Sequence, residues 1–223
     1  MPRHLQRAIE QLKTHLLCLG TRVEESLRDA VEALSLRNRD QAEMVIQLDK
    51  VIDDLEVELE EECLKILALH QPVAIDLRFI VATLKINNDL ERVGDLSVNI
   101  AERTIFLSQY PPVGVALDFE TMTAKAQWML RNSLDSLVHQ NTALARAVCT
   151  ADDEVDEMNR EMYIQVQAAI RRNPAQLEVL IHLLSISRHL ERIADLATNI
   201  AEDVIYMFEG EIVRHQVEIY AQE

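Results

Sequence analysis

The sequence predicts an all-α protein of six long helices, arranged as two tandem three-helix-bundle repeats. Three observations carry this. First, the 223 residues contain only 4 Gly and 5 Pro, and aromatics make up 4%. That is too little turn chemistry for a β-sandwich, and the Leu-, Ala-, Glu- and Arg-rich remainder is the profile of long helices. Second, apolar residues recur in steps of three and four along most of the chain, the helical period. Third, the second half repeats the first in letters: LERVGDLSVNIAE at 90–102 matches LERIADLATNIAE at 190–202, and LDKVIDDLEVE at 48–58 resembles ADDEVDEMNRE at 151–161.

The first helix shows one apolar seam through Leu5, Ile9, Leu12, Leu16, Leu19 and Val23. The seam then drifts to Leu27, Val31 and Leu34, as an undistorted helix should over several turns. The pattern pauses at Arg37-Asn38-Arg39-Asp40. A second helix is expected over 41–69, with Val45, Leu48, Ile52, Leu55, Leu59 and Ile66 inward. His70-Gln71-Pro72 ends it, and the proline suits the first turn of the next helix, which needs no backbone donor there. The third helix runs to about Leu107 through Ile75, Phe79, Ala82, Ile86, Leu90, Val93 and Ile100.

Tyr110-Pro111-Pro112-Val113-Gly114 is the strongest breaker cluster and lies at the midpoint. It divides the chain into repeats 1–110 and 111–223. In the second, helices are expected over 116–139, 142–171 and 175–208, with Asn173-Pro174 as the last break and the tail continuing the final helix past Gly210.

Lys+Arg is 22 and Asp+Glu is 38, a net charge of −16. Phosphate backbones and anionic lipids repel such a surface unless it carries a basic patch, and the longest basic cluster is Arg171-Arg172. Nucleic acid is therefore excluded as the direct ligand. Cys18, Cys63 and Cys149 are scattered, odd in number and without a CxxC pair. They predict small core residues in a reducing compartment, not a disulfide framework or zinc site. The N-terminal MPRHLQRAIEQLK has no apolar signal region, and no apolar run approaches the length of a membrane span. The expectation is a soluble, cytoplasmic protein.

The chemistry lies in acid pairs. Asp49 and Asp53, Glu91 and Asp95, Asp152 and Asp156, and Glu191 and Asp195 are each four residues apart. On a helix that spacing puts two carboxylates one turn along and about 40° around, where they can converge on one cation. Asn99 and Glu102 continue the stripe from Glu91, as Asn199 and Glu202 do from Glu191. The acids face away from the seam of Leu90, Val93, Leu96 and Ile100, so they belong on a surface or in a groove between helices. Like charges one turn apart repel. Four such pairs at matching places in both halves point to cation binding, and oxygen-only ligands suit Mg, Mn, Fe or Ca. The plain alternative is solvated helix faces, with Arg92 and Arg192 pairing to nearby acids. A buried di-metal carboxylate enzyme would need Glu-x-x-His on core-facing helices, which the sequence lacks. His189 precedes Glu191 by two residues, the wrong face, and reads as a surface histidine. No Ser, Cys or Lys stands in a nucleophile setting, and there is no glycine-rich phosphate loop.

The tandem repeats, each with a D-x-x-x-D helix followed by an L-E-R-[VI]-x-D-x-x-x-N-I helix, resemble the PhoU family of phosphate-signalling regulators. The stretch HQPVAIDLR at 70–78, followed by DLERVGD at 89–95, is especially similar to that family's first repeat. The resemblance implies a cytoplasmic, dimeric, non-enzymatic negative regulator of phosphate uptake and phosphate-regulon signalling. Its implied partners are the ATPase subunit of the phosphate ABC transporter and the phosphate-sensing histidine kinase. It implies divalent or trivalent metal ions (Fe, Mn, Mg or Zn), held in the first repeat by Asp49, Asp53, Glu91 and Asp95 and in the second by Asp152, Asp156, Glu191 and Asp195. The alternatives are a metal-dependent enzyme on a helical-bundle scaffold and a plain helical scaffold. One departure stands out. Ala194 occupies the place of Gly94, where family motifs often keep Gly, and its methyl is expected to crowd the backbone approach at the second site.

Overall fold

The structure, a computed structural model, describes residues 3–210. Among these the order is α1 (Arg3–Leu36), α2 (Arg39–His70), α3 (Ala74–Ser108), α4 (Phe119–His139), α5 (Thr142–Arg172), a 3-10 turn at Pro174–Gln176, and α6 (Leu177–Glu209). No strand occurs among the described residues. The fold class expected from the seams and the repeat is the one found. No helix among the described residues is long and apolar enough to cross a membrane.

The first turn of each repeat shows how local chemistry sets the helix ends. Arg37 and Gln140 take left-handed φ values of 51° and 53°. Asn38 N donates to Ala33 O at 2.9 Å and Arg37 N to Leu34 O at 3.2 Å. Asn141 N donates to Ser136 O at 2.9 Å and Gln140 N to Leu137 O at 3.4 Å. Each is a Schellman closure, which satisfies carbonyls left over at a helix end. The same asparagines then cap the next helix: Asn38 Oδ1 accepts from Gln41 N, and Asn141 Oδ1 from Leu144 N. Arg37 holds the left-handed position where Gly is usual. Its guanidinium donates to the carbonyls of Leu107 and Tyr110, which ties the α1–α2 turn to the end of α3.

Four helix starts differ from expectation. α3 begins at Ala74 with Val73 as its cap residue, so Pro72 precedes the helix and does not lie in its first turn. α2 begins at Arg39, because the Asn38 cap admits no pause after it. α4 begins at Phe119 and not near 116, because Asp118 is its cap, accepting from Thr121 N at 3.1 Å. α6 begins at Leu177, because Pro174 opens a 3-10 turn first. At the far end, Gly210 (φ 78°) closes α6 by donating to Tyr206 O. The expected continuation past Gly210 lies outside the described residues.

α3 and α6 pack on each other more extensively than any other pair, followed by α5 on α6 and α2 on α3. They run antiparallel. Lys85 of α3 pairs with Asp203 of α6 at 3.3 Å, and at the other end Phe106 stacks on His182 at 3.8 Å between ring centroids. The two helical triplets share one continuous apolar core, which runs from Leu12 and Leu16 through Leu90 and Ile100 to Leu190 and Ile200. A small satellite of Val166, Ala169 and Leu180 is roofed by Val113, Val115 and Leu117 of the connecting segment.

The α1 seam is buried as expected through Leu27, then continues at Ala30 and Ala33, with Val31 and Leu34 only partly buried. Leu48 and Ile75, both expected inward, are 60% and 53% exposed. Ile75 lies in the first turn of α3, on an open groove also lined by Ile9, Leu16 and Phe79. Leu48 is displaced by its neighbour Asp49, as the site below explains. Cys63 is buried, but Cys18 is exposed, so it is not the core residue expected.

Candidate metal centres

α2 meets α3 along a strict three-four rhythm. Ala42, Val45, Ile52, Leu59, Cys63 and Ile66 are buried, and the two missing beats of that rhythm are Asp49 and Glu56. α5 meets α6 in the same way. Ala145, Val148, Val155, Met162, Val166 and Ala169 are buried, and the missing beats are Asp152 and Asn159. Each helix thus places a polar side chain where packing calls for an apolar knob, which costs stability. Leu48 is pushed outward because Asp49 takes the beat.

The facing helices supply the rest. In the first repeat, burial and then the carboxylates of Asp53 and Asp95 push the Asp49 carboxyl up to about 6. Glu91 is raised by burial, then by Asp95, Glu56, Asp53 and Asp49. Asp49 and Glu91 therefore stand within electrostatic reach of Asp53, Asp95 and each other, with Glu56 as a fifth acid beside Glu91. In the second repeat, burial and then Asp195 and Asp156 push Asp152 up to about 7. Thr198 lies beside Asp152 and offsets part of that rise, although neither Thr198 Oγ1 nor Asp152 Oδ1 has a hydrogen bond of normal geometry. Asp195 is exposed, yet the protein around its carboxyl and the charge of Asp156 raise it. All eight expected residues thus fall into two clusters, one per repeat.

The donor atoms are all carboxylate oxygens, the type a hard cation takes. Asp49 Oδ1 and Asp152 Oδ1 are buried and have no hydrogen-bond partner. A buried carboxylate oxygen without a donor is costly, and a second and third carboxylate beside it add repulsion. A cation relieves both, and an all-oxygen set selects Mg, Mn, Fe or Ca before softer metals. Among the described residues, no group of three or more His, Cys, Asp or Glu side chains is placed so that it could hold a metal ion. The clusters as they stand are neighbouring carboxylates, not formed metal sites.

In the first repeat, the residues that continue the stripe have partners of their own. Asn99 Nδ2 turns back to Asp95 O at 2.8 Å, and exposed Glu102 pairs with Arg103 at 3.6 Å. Arg92 pairs with Asp89 at 3.8 Å rather than with a cluster acid.

The sequence reading missed the residues that brace the clusters. Buried Asn87 donates from Nδ2 to Glu56 O at 3.0 Å and to Glu56 Oε1 at 3.1 Å. At the matching place, Ser187 Oγ donates to Asn159 Oδ1 at 2.7 Å. The strict α2 rhythm was the signal for Glu56, since it sits seven residues after Asp49 on the same beat.

Gly94 explains itself here. A Cβ on it would meet Ile52 Cγ2 at 3.2 Å and both Ile52 Cδ1 and Asp49 Oδ1 at 3.3 Å. In the second repeat Ala194 is fully buried, and Val155 stands where Ile52 does. The methyl gained on α6 is offset by the methylene lost on α5, a volume-conserving exchange. The crowding expected at the second site is thereby relieved.

His189 is not the surface histidine expected. It is half-buried at the α3–α6 contact, with Ser185 Oγ 3.2 Å from its Nε2. Burial and the guanidinium groups of Arg103, Arg192 and Arg188 push it down to about 4. Its partner Arg103 comes from the other repeat, so no local spacing announces the contact.

Comparison with known proteins agrees with this architecture. Residues 16–104 and 119–204 each match the family described as PhoU domain. A phosphate-specific transport system accessory protein PhoU homolog of Aquifex aeolicus is 40% identical over 212 residues, covering 95% of this chain and 96% of that protein. The corresponding homolog of Clostridium acetobutylicum is 34% identical, covering 92% and 94%. Among solved structures, PhoU from Pseudomonas aeruginosa superposes with a TM-score of 0.89 at 33% identity, covering 92% of this chain and 99% of that one. The phosphate transport system regulatory protein PhoU from Streptococcus pneumoniae gives 0.83 at 28% identity, covering 94% and 99%. With both repeats matched and full-length relatives above 30% identity, the chain belongs to the PhoU family.

Proposed function

We propose that the chain is a cytoplasmic negative regulator of phosphate uptake and phosphate-regulon signalling. It acts as an adaptor between the ATPase subunit of a phosphate ABC transporter and a phosphate-sensing histidine kinase, as a homodimer. The observation that carries this is the end-to-end likeness to proteins named as accessory or regulatory components of phosphate transport. A truncated likeness would support only a shared module. Here both repeats and their shared core are present.

The two carboxylate clusters are proposed as metal centres. Asp49, Asp53, Glu91 and Asp95 would hold a cation in the first repeat, braced by Glu56 on Asn87. Asp152, Asp156, Glu191 and Asp195 would do so in the second. A bound cation supplies positive charge on an acidic surface. The chain's own residues supply the oxygen ligands, and the buried orphan oxygens of Asp49 and Asp152 are the reason those two are indispensable. The proposal includes no catalytic step.

The test is made in cells that lack the chain's gene. A reporter driven by a phosphate-starvation promoter is expected to stay on in rich phosphate and to be silenced when the wild-type gene returns. Pull-down of the returned protein is expected to recover the transporter ATPase and the kinase. A reporter that is silent without the gene, or a pull-down empty of both partners, would refute the adaptor role.

A further inference from the structure

α2 carries a second apolar stripe that none of the described helices covers. Met44, Leu48, Val51 and Leu55 follow one another in steps of four, three and four. At roughly 100° per residue they share about 60° of arc. The core-facing rhythm of Val45, Ile52 and Leu59 runs beside them and is buried. On the stripe itself Met44 is 55%, Leu48 60% and Val51 44% exposed, while Leu55 packs partly on the core. Leu48 and Val51 line one wall of an open groove of about 230 Å³, and Arg22, Glu25, Ser26 and Asp29 of α1 line the other.

The second repeat shows that the fold does not call for this stripe. The capping residues Asn38 and Asn141 stand at matching places and set an offset of 103 between the repeats. The counterparts of Met44, Leu48 and Val51 are then Ala147, Ala151 and Glu154. Glu154 is bridged by Lys125 of α4 at 2.8 Å, and Lys125 stands where α1 has Arg22. Val51 offers Arg22 no such partner, and Arg22 pairs with Glu25 of its own helix at 2.9 Å. Three large apolar side chains are thus exposed where the sister repeat is small or charged. A contiguous apolar stripe rimmed by polar residues marks an interaction surface.

We infer that the groove between α1 and α2 is a docking surface for a basic amphipathic helix of another protein. Steps of four, three and four are what a helix laid along α2 meets with an apolar stripe of its own. Charge selects the occupant. On the flank of the stripe away from the groove, Asp40, Asp54 and Glu58 are exposed, and none is in a salt bridge among the described residues. All three lie within about 90° of the centre of the stripe. The arginines nearby are already engaged, Arg22 with Glu25, Arg28 with Asp29 and Arg39 with Glu43. Glu32 of α1 accepts from Gln41 and adds a further negative charge, and Glu62 beyond the end of the stripe holds His15. Lys50, about 130° round the helix from the stripe, sets one positive charge against these. The rim is net negative, so lysines or arginines along one edge of the incoming helix would meet the acids and steer its approach. A second copy of the chain fits less well. Its stripe would pair antiparallel, Leu48 against Val51, and that register sets Asp40 beside the copy's Glu58, acid on acid. The same acids repel an anionic lipid surface. The inference does not use the metal reading, because Asp49 and Asp53 lie about 130° or more round α2 from the stripe.

The experiment uses the full chain and two synthetic helical peptides as probes. Both peptides carry leucines in alternating steps of three and four; one is flanked by lysines and the other by glutamates. Binding is followed by fluorescence anisotropy at low and at physiological salt. The lysine peptide is expected to bind, less tightly as salt rises, and the glutamate peptide is not. Leu48→Gln with Val51→Gln should keep the helical signal, because both side chains are exposed, and lose about tenfold or more in affinity for the lysine peptide. Asp54→Lys with Glu58→Lys should reverse the preference and take the glutamate peptide. Tyr163→Gln with Ile164→Gln, which removes exposed apolar side chains from α5, should bind the lysine peptide as wild type does. Light scattering on wild type and on the Leu48/Val51 variant reads the oligomeric state. A lysine peptide that does not bind, equal binding of both peptides, or normal binding by the Leu48/Val51 variant would overturn the inference. It is equally overturned if the Leu48/Val51 change turns a dimer into a monomer, since a second copy then covers this face.

Discussion

Asp152→Asn is expected to make the metal-free protein more stable at pH 8, by about 1 kcal/mol once solvent screening of a half-exposed carboxyl is allowed for. In the folded protein burial and the neighbouring carboxylates push the Asp152 carboxyl up to about 7, against 3.8 for an ordinary aspartate. The folded state therefore holds this proton more readily than the unfolded state does. Its contribution is fully present below pH 4 and is lost as pH rises through 7. An asparagine cannot ionise and escapes that loss. Wild type and variant should converge towards pH 4, draw apart as pH rises from 4 to about 7, and keep that difference above it. Asp49→Asn should behave likewise, with its window ending near about 6. Urea unfolding of metal-free protein at pH 5.5 and pH 8 reads this directly. A variant less stable than wild type at pH 8 would mean that the acids are well-solvated faces, which stabilise the fold as they stand.

Leu90→Ala should cost about 3 kcal/mol, and so should Leu190→Ala. Both leucines are fully buried at equivalent places on α3 and α6. Because these helices pack on each other in one continuous core, either change should lower a single cooperative unfolding transition of the whole chain. Calorimetry that shows two transitions, with only one shifted by each substitution, would contradict the shared core.

Much of the fold was legible because each helix writes its own seam. Leu5 to Leu27 of α1 repeats at three and four, and a helix that packs on one side buries that stripe wherever its neighbours lie. The repeat of LER[VI]xD marked both carboxylate pairs on α3 and α6. What stayed hidden depended on partners from distant sequence. Leu48 read as core because an aliphatic residue is the default filler of a seam, yet Asp49 held the beat towards α3. Glu56 was passed over because it lies outside the D-x-x-x-D spacing, although the seam rhythm contains it. His189 was read on its own helix, while its environment is made by Arg103 of the other repeat. The exchange of Ile52 with Gly94 for Val155 with Ala194 is visible only when α2 and α5 are laid against α3 and α6.

The central claim is that each repeat builds one metal centre from two helices. Its most direct measurement is the metal content of stripped and reloaded protein, for wild type and for two variants. One variant carries Asp49→Asn, Asp53→Asn, Glu91→Gln and Asp95→Asn, and the other carries Asp152→Asn, Asp156→Asn, Glu191→Gln and Asp195→Asn. Metal bound by wild type, reduced by each variant to what the other repeat holds, with the helical signal unchanged, is the predicted result. Wild-type protein that returns from dialysis without metal, or variants that bind as much as wild type, would contradict the claim.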